Sequence, residues 1–418
     1  MILKSIKGTK DILPAETARW QYAEQVVRDV FHRYNYKEIR TPMFEQTSLF
    51  SRSIGELTDI VGKEMYTFTD RSGDSITLRP EGTASVIRSY IQNNLGEAQP
   101  LVKVYYIAPM FRQERPQAGR LRQFHQFGAE AIGSPTPETD TEIIAMAVEI
   151  YKQFGVSNFS LKINSVGDEE CRPRYKEILR AELVKIADQL SAESRNRIDA
   201  NPMRVLDSKD ERDIELTKDM PRITDHLNDE CRAHFERVKE LLTLLEIPFT
   251  VDPRLVRGLD YYTKTAFELT STELGSQSAL AGGGRYDLLT KELGGKATPA
   301  VGFAAGIERL MMVLEKMNFA APANRPQVFL AAADQDARAW AITTTMKLRA
   351  EGIAAETDFL NRSLKAQMRE ADRQQARAVI VAGANELAQG KAVLKNLDTH
   401  TQQDVDLNRI ADHVRGVS

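Results

Sequence analysis

The chain has 418 residues, 42% of them hydrophobic and 28% charged, an ordinary globular balance over a length that calls for about two or three domains. No apolar run approaches the about 18–20 residues of a membrane span, and the first residues, MILKSIKGTKDILP, lack the apolar core of a signal peptide. A net charge of −3 excludes capture of nucleic acid by the overall field, and two cysteines, Cys171 and Cys231, exclude a disulfide framework and suit a reducing cytoplasm.

Residues 14–36 repeat apolar side chains at three and four and predict a helix, with Pro14 near its start. IRTPMFEQTSLF reads as a strand and turn, then strand or helix, broken at Pro42. MYTFTDRSGDSITLRPEG predicts a hairpin turning at Arg71, Ser72, Gly73 and Asp74, and Glu81 and Thr83 open a helix after it. VKVYYIAPMFRQE and RQFHQFGAEAIG predict a second, longer hairpin. In its second arm Arg122, Phe124, Gln126 and Gly128 share one face, and Gln123, His125, Phe127 and Ala129 the other. TPETDTEIIAMAVEIYKQFG is a helix with an acidic first turn.

Between Cys171 and Glu246 the chain becomes charged and helical, as an inserted module would be. The strand pattern then returns in PFTVDPRLVRGLDYYTKTAFELTS, ALAGGGRYDLLTKELGG and PAVGFAAGIERLMMVLEKM. AAPANRP, 320–326, marks a boundary. Beyond it strands and helices alternate: VFLAAA, a helix at 334–350, AAETDF, a helix at 363–376, AVIVAG, a helix at Glu386, KAVLKNL and a final helix. The fold class expected is α+β, an antiparallel-sheet domain at 1–325 with a helical insertion at 170–250, followed by a small α/β domain at 326–418.

Several constellations carry chemistry. Arg112, Arg257 and Arg309 sit in apolar, glycine-flanked segments. Arginine is costly to bury alone; either these are three structural ion pairs, with Glu114 and Glu308 serving two, or they are forks for the phosphates of a nucleoside triphosphate. Arg115, Arg120 and Arg122 add charge to the hairpin loop. The GGG of AGGGRYD permits close backbone approach, but alone it marks a turn more often than a site. Glu81 and Thr83 either cap a helix or bind an ammonium group. Glu130 either ends a strand at the surface or serves the hairpin site. Cys171, His226, Cys231 and His234 match no common zinc spacing, so no side-chain metal site is expected. Arg362, Lys365, Arg369, Arg373 and Arg377 step by three, four, four and four along one helix face, either a solvated surface or a track for a nucleic-acid backbone.

Together these segments resemble the histidyl-tRNA synthetases, a class II aminoacyl-tRNA synthetase family, over essentially the whole chain. KGTKDILP resembles the family's N-terminal signature. The segment around Pro42 resembles motif 1, a dimer-interface element. FRQE through GAE resembles motif 2, and AVGFAAGIERL motif 3. RGLDYYTKTAFE and AGGGRYD are similar to two histidine-specific signatures, and their joint occurrence in this order is the specific part of the match.

The resemblance implies a histidine–tRNA ligase that uses ATP, with Mg2+, to form histidyl-adenylate and then charges the 3′ end of tRNA(His). Arg112 and Gln126 would act on the carboxylate and α-phosphate, with Arg257 opposite. Glu114, Arg120 and Arg309, with Arg112, would bind ATP. Glu81 and Thr83 would hold the ammonium group of L-histidine, and Glu130 and Tyr262 its imidazole, with Tyr261 nearby. The C-terminal domain would bind the anticodon, Arg362, Arg369 and Arg373 being candidate tRNA contacts together with Arg115 and Gln117 of the hairpin loop. A cytoplasmic homodimer is implied. The rival with the same catalytic fold is a histidine-sensing regulatory subunit of ATP phosphoribosyltransferase; that type typically lacks the terminal domain and loses catalytic arginines.

Overall fold

The computed structural model describes residues 3–54, 58, 60–117, 119–256, 259, 261–271, 279–322 and 325–416. The chain divides into two compact units, Met1–Ala321 and Pro322–Ser418.

The strands of the first unit are β1 (Lys37–Glu38), β2 (Phe44–Gln46), β3 (Tyr66–Thr69), β4 (Ser75–Leu78), β5 (Val102–Phe111), β6 (Gln123–Ile132), β7 (Ser160–Ser165), β8 (Thr250–Val251), β9 (Thr263–Thr270), β10 (Ala279–Arg285) and β11 (Ala300–Gly306). Eight form one sheet in the order β1-β5-β6-β11-β10-β9-β7-β8, while β2, β4 and β3 form a small separate sheet. Pairing in the large sheet is antiparallel except at its two edges, β1 with β5 and β7 with β8. The long hairpin lies inside the sheet: Glu130 of β6 sits opposite Val104 of β5 on one side and Gly302 of β11 on the other. The six residues of β7, SLKINS, are too polar to announce a strand.

Strand alternation separates two faces. Phe127, Ala129 and Ala131 of β6 turn into a core shared with Trp20, Val27 and Phe31 of the helix Pro14–Arg33, Ile143 and Ile150 of the helix Pro137–Gln153, and Leu310 of the helix Ile307–Lys316. Two of these helices carry proline in the first turn, where no donor is lost, and Pro137 is followed by Glu138 and Asp140, which suit the positive helix end. The opposite face of the sheet carries Gln126 and Glu130.

The charged segment after β7 shares these cores. Tyr175, Leu179 and Leu183 of the helix Cys171–Lys185 join Tyr106, Tyr261, Tyr262 and Tyr286 in one cluster. Phe235, Val238 and Leu242 of the helix Asp229–Leu244 join the other cluster, against Pro137–Gln153.

The second unit has β12 (Val328–Ala332), β13 (Ala355–Thr357), β14 (Ala378–Ala382), β15 (Lys391–Asn396) and β16 (Gln402–Asp406), in the order β13-β12-β14-β15-β16. The first three are parallel and the last two pair antiparallel. The helices Ala337–Ala350 and Leu364–Arg373 fill the crossovers, so the α/β alternation holds. The polar edge strand β16, QQDVD, was not foreseen. Among the described residues no helix is long and apolar enough to cross a membrane.

Candidate active site

A cleft of about 230 Å³ opens on the Gln126 face of the large sheet. One end is cationic. Arg112, at the end of β5, donates through Nε to Pro80 O (2.9 Å) and lies over the Phe124 ring, 5.4 Å from its centroid. Gln117 and Arg120 exchange backbone hydrogen bonds of 3.1 and 2.9 Å, which tightens the loop and sets Arg120 beside the cleft. Arg309, on the first turn after β11, donates to Ala279 O (2.7 Å) and Gly119 O (3.4 Å). Glu114 lies 3.2 Å from Arg120 and 3.9 Å from Arg112. Burial, then the neighbouring Arg120 and Arg112, lower the Arg309 pKa. Three guanidiniums gathered round one carboxylate leave an excess of positive charge, which suits a polyanion.

The other end is built of carboxyls and phenols. Glu81 is buried, and its two oxygens accept the N–H groups of Thr83 (2.6 Å) and Ala84 (2.9 Å) at the start of the helix Thr83–Gln92. It therefore caps that helix, and capping fixes its carboxyl at the cleft wall. Burial raises its pKa against these donors. Thr83 donates to Glu130 Oε1 (2.7 Å), and the Tyr286 hydroxyl donates to Oε2. Glu130 has no solvent exposure, and burial pushes its pKa up to about 8, with the Tyr286 and Thr83 hydrogen bonds pulling the other way and Glu81 adding to the rise. It is thus no surface strand-end charge; it sits directly behind Thr83, Tyr286 and Gly302, which line the cleft. A Cβ on Gly302 would stand 1.7 Å from Glu130 Oε2, so only glycine fits there. Tyr261 and Tyr262 complete the wall, with ring centroids 4.8 Å apart. Gln126 lies between the two ends, and its Oε1 is buried without a hydrogen-bond partner among the described residues.

The cleft thus brings together Glu81, Thr83, Arg112, Glu114, Arg120, Gln126, Tyr261, Tyr262 and Arg309, with Glu130 behind its wall. Arg257 lies outside the described residues. Three expectations are corrected. Among the described residues Glu308 serves no arginine: it accepts from His125 N (2.9 and 3.0 Å) and pairs with His125 Nδ1 (3.0 Å). GGG marks no turn: Gly282, Gly283 and Gly284 lie within β10, where a Cβ at Gly283 would stand 2.2 Å from Gly302 O and one at Gly284 2.4 Å from Thr265 O. The glycines let three strands crowd together beneath the site. Nor do the five basic residues at 362–377 share one helix. The helix spans Leu364–Arg373, so Arg362 precedes it and Arg377 follows it. Arg362 pairs with Asp358 and Glu370, and Arg373 with Glu370, while Lys365 and Arg369 stay exposed. Arg115 and Gln117 are exposed on the hairpin loop.

The sequence reading did not single out Tyr286, or what holds it. Arg285 is fully buried and pairs with the buried Asp140 (2.7 Å), which also meets His234 and accepts from Thr265 Oγ1 (2.9 Å). Despite burial, His234 and Arg285 hold the Asp140 carboxyl below its usual range. His234 is therefore engaged by the buried Asp140 carboxyl. Arg285 and Tyr286 are both visible in GGGRYD; the partner of Arg285, Asp140, 145 positions away along the chain, is not.

Residues 8–310 match the family model described as histidyl-tRNA synthetase, and residues 327–416 match an anticodon binding domain. The chain is 52% identical to a histidine–tRNA ligase of Chloroherpeton thalassium over 97% of this chain and 96% of that one, and 50% identical to that of Halothermothrix orenii over 99% of each. The solved apo histidyl-tRNA synthetase of S. aureus superposes with a TM-score of 0.85 at 40% identity, covering 99% of this chain and all of that one. With a full-length match of this kind and an arginine-lined cleft beside a carboxyl–phenol wall, the chain belongs to the histidyl-tRNA synthetase family.

Proposed function

We propose that this protein is a histidine–tRNA ligase, which activates L-histidine with ATP and transfers it to the 3′ end of tRNA(His). The observation that carries the reading is the union, in one cleft, of three guanidiniums and a carboxyl–phenol wall, supported by the relatives' shared name. A carboxylate oxygen of histidine attacks the α-phosphorus of ATP. The bond from that phosphorus to the bridging oxygen breaks, and pyrophosphate leaves with its electrons. The terminal hydroxyl of tRNA then attacks the adenylate carbonyl and AMP departs.

Fixed cations supply the catalysis, because charge builds on phosphate oxygens in transfer. Arg112 and Arg257 hold the α-phosphate and carboxylate. Arg120 and Arg309 take the outer phosphates, and Glu114 the adenine amino group. Gln126 donates its amide N–H to the substrate carboxylate. Glu81 and Thr83 hold the ammonium group. Glu130, ionised when histidine binds, accepts the imidazole N–H, since its carboxylate has lone pairs beyond the two that Thr83 and Tyr286 use. Tyr262, beside Tyr261, donates to the other ring nitrogen. Mg2+ fits as a companion of ATP: it needs only one or two protein carboxylates beside phosphate oxygens, and Glu268 lines the cleft.

A homodimer formed through the motif 1 region is part of the proposal. Met43 and Phe44, next to Pro42, are 53% and 57% exposed, and Phe68 is 49% exposed, apolar surface that a two-fold contact would cover. We place the reaction in the cytoplasm, in keeping with two free cysteines. ATP–pyrophosphate exchange with each of the twenty amino acids tests the reading. Exchange with histidine alone, lost in Arg257→Ala, supports it; histidine binding without exchange favours a regulatory paralogue.

A further inference from the structure

Two helices begin side by side behind the amino-acid end of the cleft. Before Cys171–Lys185 stands Asp168, whose Oδ1 accepts the N–H groups of Glu170 and Cys171, both at 3.0 Å. Before Asp229–Leu244 stands Asn228, whose carbonyl accepts the N–H of Cys231 at 2.9 Å. The spacing is the same at both starts, D-x-x-C and N-x-x-C. Asn228 Nδ2 also donates to Asp168 Oδ2 (3.0 Å), which ties the two starts together. As a result the Cys171 and Cys231 sulfurs and an Asp168 oxygen all lie within 4.8 Å of one another. Both cysteines are buried, and Asp168 is half-buried.

These are not the four residues whose spacing was weighed for zinc: His226 and His234 stay out and Asp168 comes in. Thiolates and carboxylates are both zinc ligand types, and steps of three residues are typical of zinc ligand pairs. Two sulfurs on one zinc ion, each at about 2.3 Å, sit about 3.8 Å apart, so small side-chain rotations close the group. The positive ends of both helices meet here, and Asp168 N–H donates to Cys171 Sγ at 3.4 Å. Asn228 fixes the carboxylate's orientation, as outer partners of metal ligands do. Gly167, at φ +67°, leaves the sulfur its space: a Cβ there would stand 2.7 Å from Cys171 Sγ.

The geometry points to a binding site for a zinc-type divalent cation, held by Asp168, Cys171 and Cys231, with water in the fourth position on the half-buried Asp168 side. Its role is to join two helix starts. Arg172, next to Cys171, donates to Val166 O (3.0 Å), Gly167 O (3.1 Å) and Tyr262 O, so the metal also braces the strand end that carries Tyr262. The site stands independently of the ligase reading.

Cobalt titration of the chelator-stripped, full-length chain tests it. One equivalent is expected to bind and give the near-ultraviolet thiolate-to-cobalt absorption with tetrahedral visible bands, both displaced by zinc. Cys171→Ser and Cys231→Ser should each lose the thiolate absorption. Because a buried serine can unfold the segment, the wild-type chain supplies a second readout: purified from zinc-supplemented medium, it should hold one zinc and release it as both thiols are titrated with a mercurial. No thiolate absorption in the wild type, absorption unchanged in both variants, zinc absent from the purified chain, or a Cys171–Cys231 disulfide formed in place of cobalt binding overturns the proposal.

Discussion

The Tyr286 hydroxyl donates to Glu130, and both side chains are shut away from solvent. A carboxyl so placed keeps its proton until about pH 8, because burial disfavours the charged form. In the unfolded chain it ionises near its ordinary value of 4.5. The folded form therefore binds more protons across pH 4.5–8, and the wild type should lose stability as pH rises through that window, on the order of 5 kcal/mol in full. Glu130→Gln, which cannot ionise, should flatten that fall. Chemical denaturation at pH 5 and pH 8 measures it; an equal fall in both proteins contradicts the assignment.

Tyr286→Phe removes a hydrogen bond that favours the ionised Glu130. The carboxyl should then hold its proton to still higher pH. The pH at which the KM for histidine improves should move up with it, while the KM for ATP stays near the wild-type value. A change in both constants together would mean that the hydroxyl serves only the fold.

Gly302→Ala should not be tolerated, since its Cβ would meet Glu130 Oε2 and Ala129 O at 1.7 and 2.6 Å. Forced overpacking costs about 1–3 kcal/mol, and histidine-dependent exchange should be lost. Gly62→Ala, with nothing within 4 Å of its Cβ, is the control and should melt as the wild type does. Thermal denaturation of the pair decides the point.

The local patterns carried much of this in advance. The hairpin Tyr66–Leu78 and the β5–β6 arms alternate visibly, and Arg112, Glu114 and Arg120 fall close together because one hairpin holds them. What local patterns do not encode is which distant segments meet. Asp140 finds Arg285 and His234 only through tertiary packing, and GGG became a crowded strand because β9 and β11 press on it. The basic run at 362–377 keeps its helical spacing on paper, but Gln374 ends the helix and Gln375 turns to positive φ.

Glu370 already holds Arg362 and Arg373, so Lys365 and Arg369 are the exposed cations of this helix left for a phosphate backbone. Lys365→Ala with Arg369→Ala should weaken tRNA binding and lower the salt slope by roughly one for each phosphate no longer neutralised. Arg373→Ala alone should do less. Filter binding over a salt series separates the two, and an unchanged slope in the double variant would remove the helix from the interface.

Arg309→Ala tests the cationic end of the cleft. Removing one fixed donor to developing charge costs about 10²–10³-fold in rate, so histidine-dependent pyrophosphate exchange should fall by that order while the fold, read by circular dichroism, is kept. Exchange at the wild-type rate would leave Arg309 a purely structural residue, bonded to Ala279 and Gly119.

The central claim is that one cleft joins histidine to tRNA. The most direct measurement is the charging of tRNA(His) with labelled histidine, with and without ATP, beside an Arg112→Ala variant. The account predicts ATP-dependent, acid-stable histidyl-tRNA from the wild type and almost none from the variant. No charged tRNA from a folded wild type that still binds histidine would contradict it.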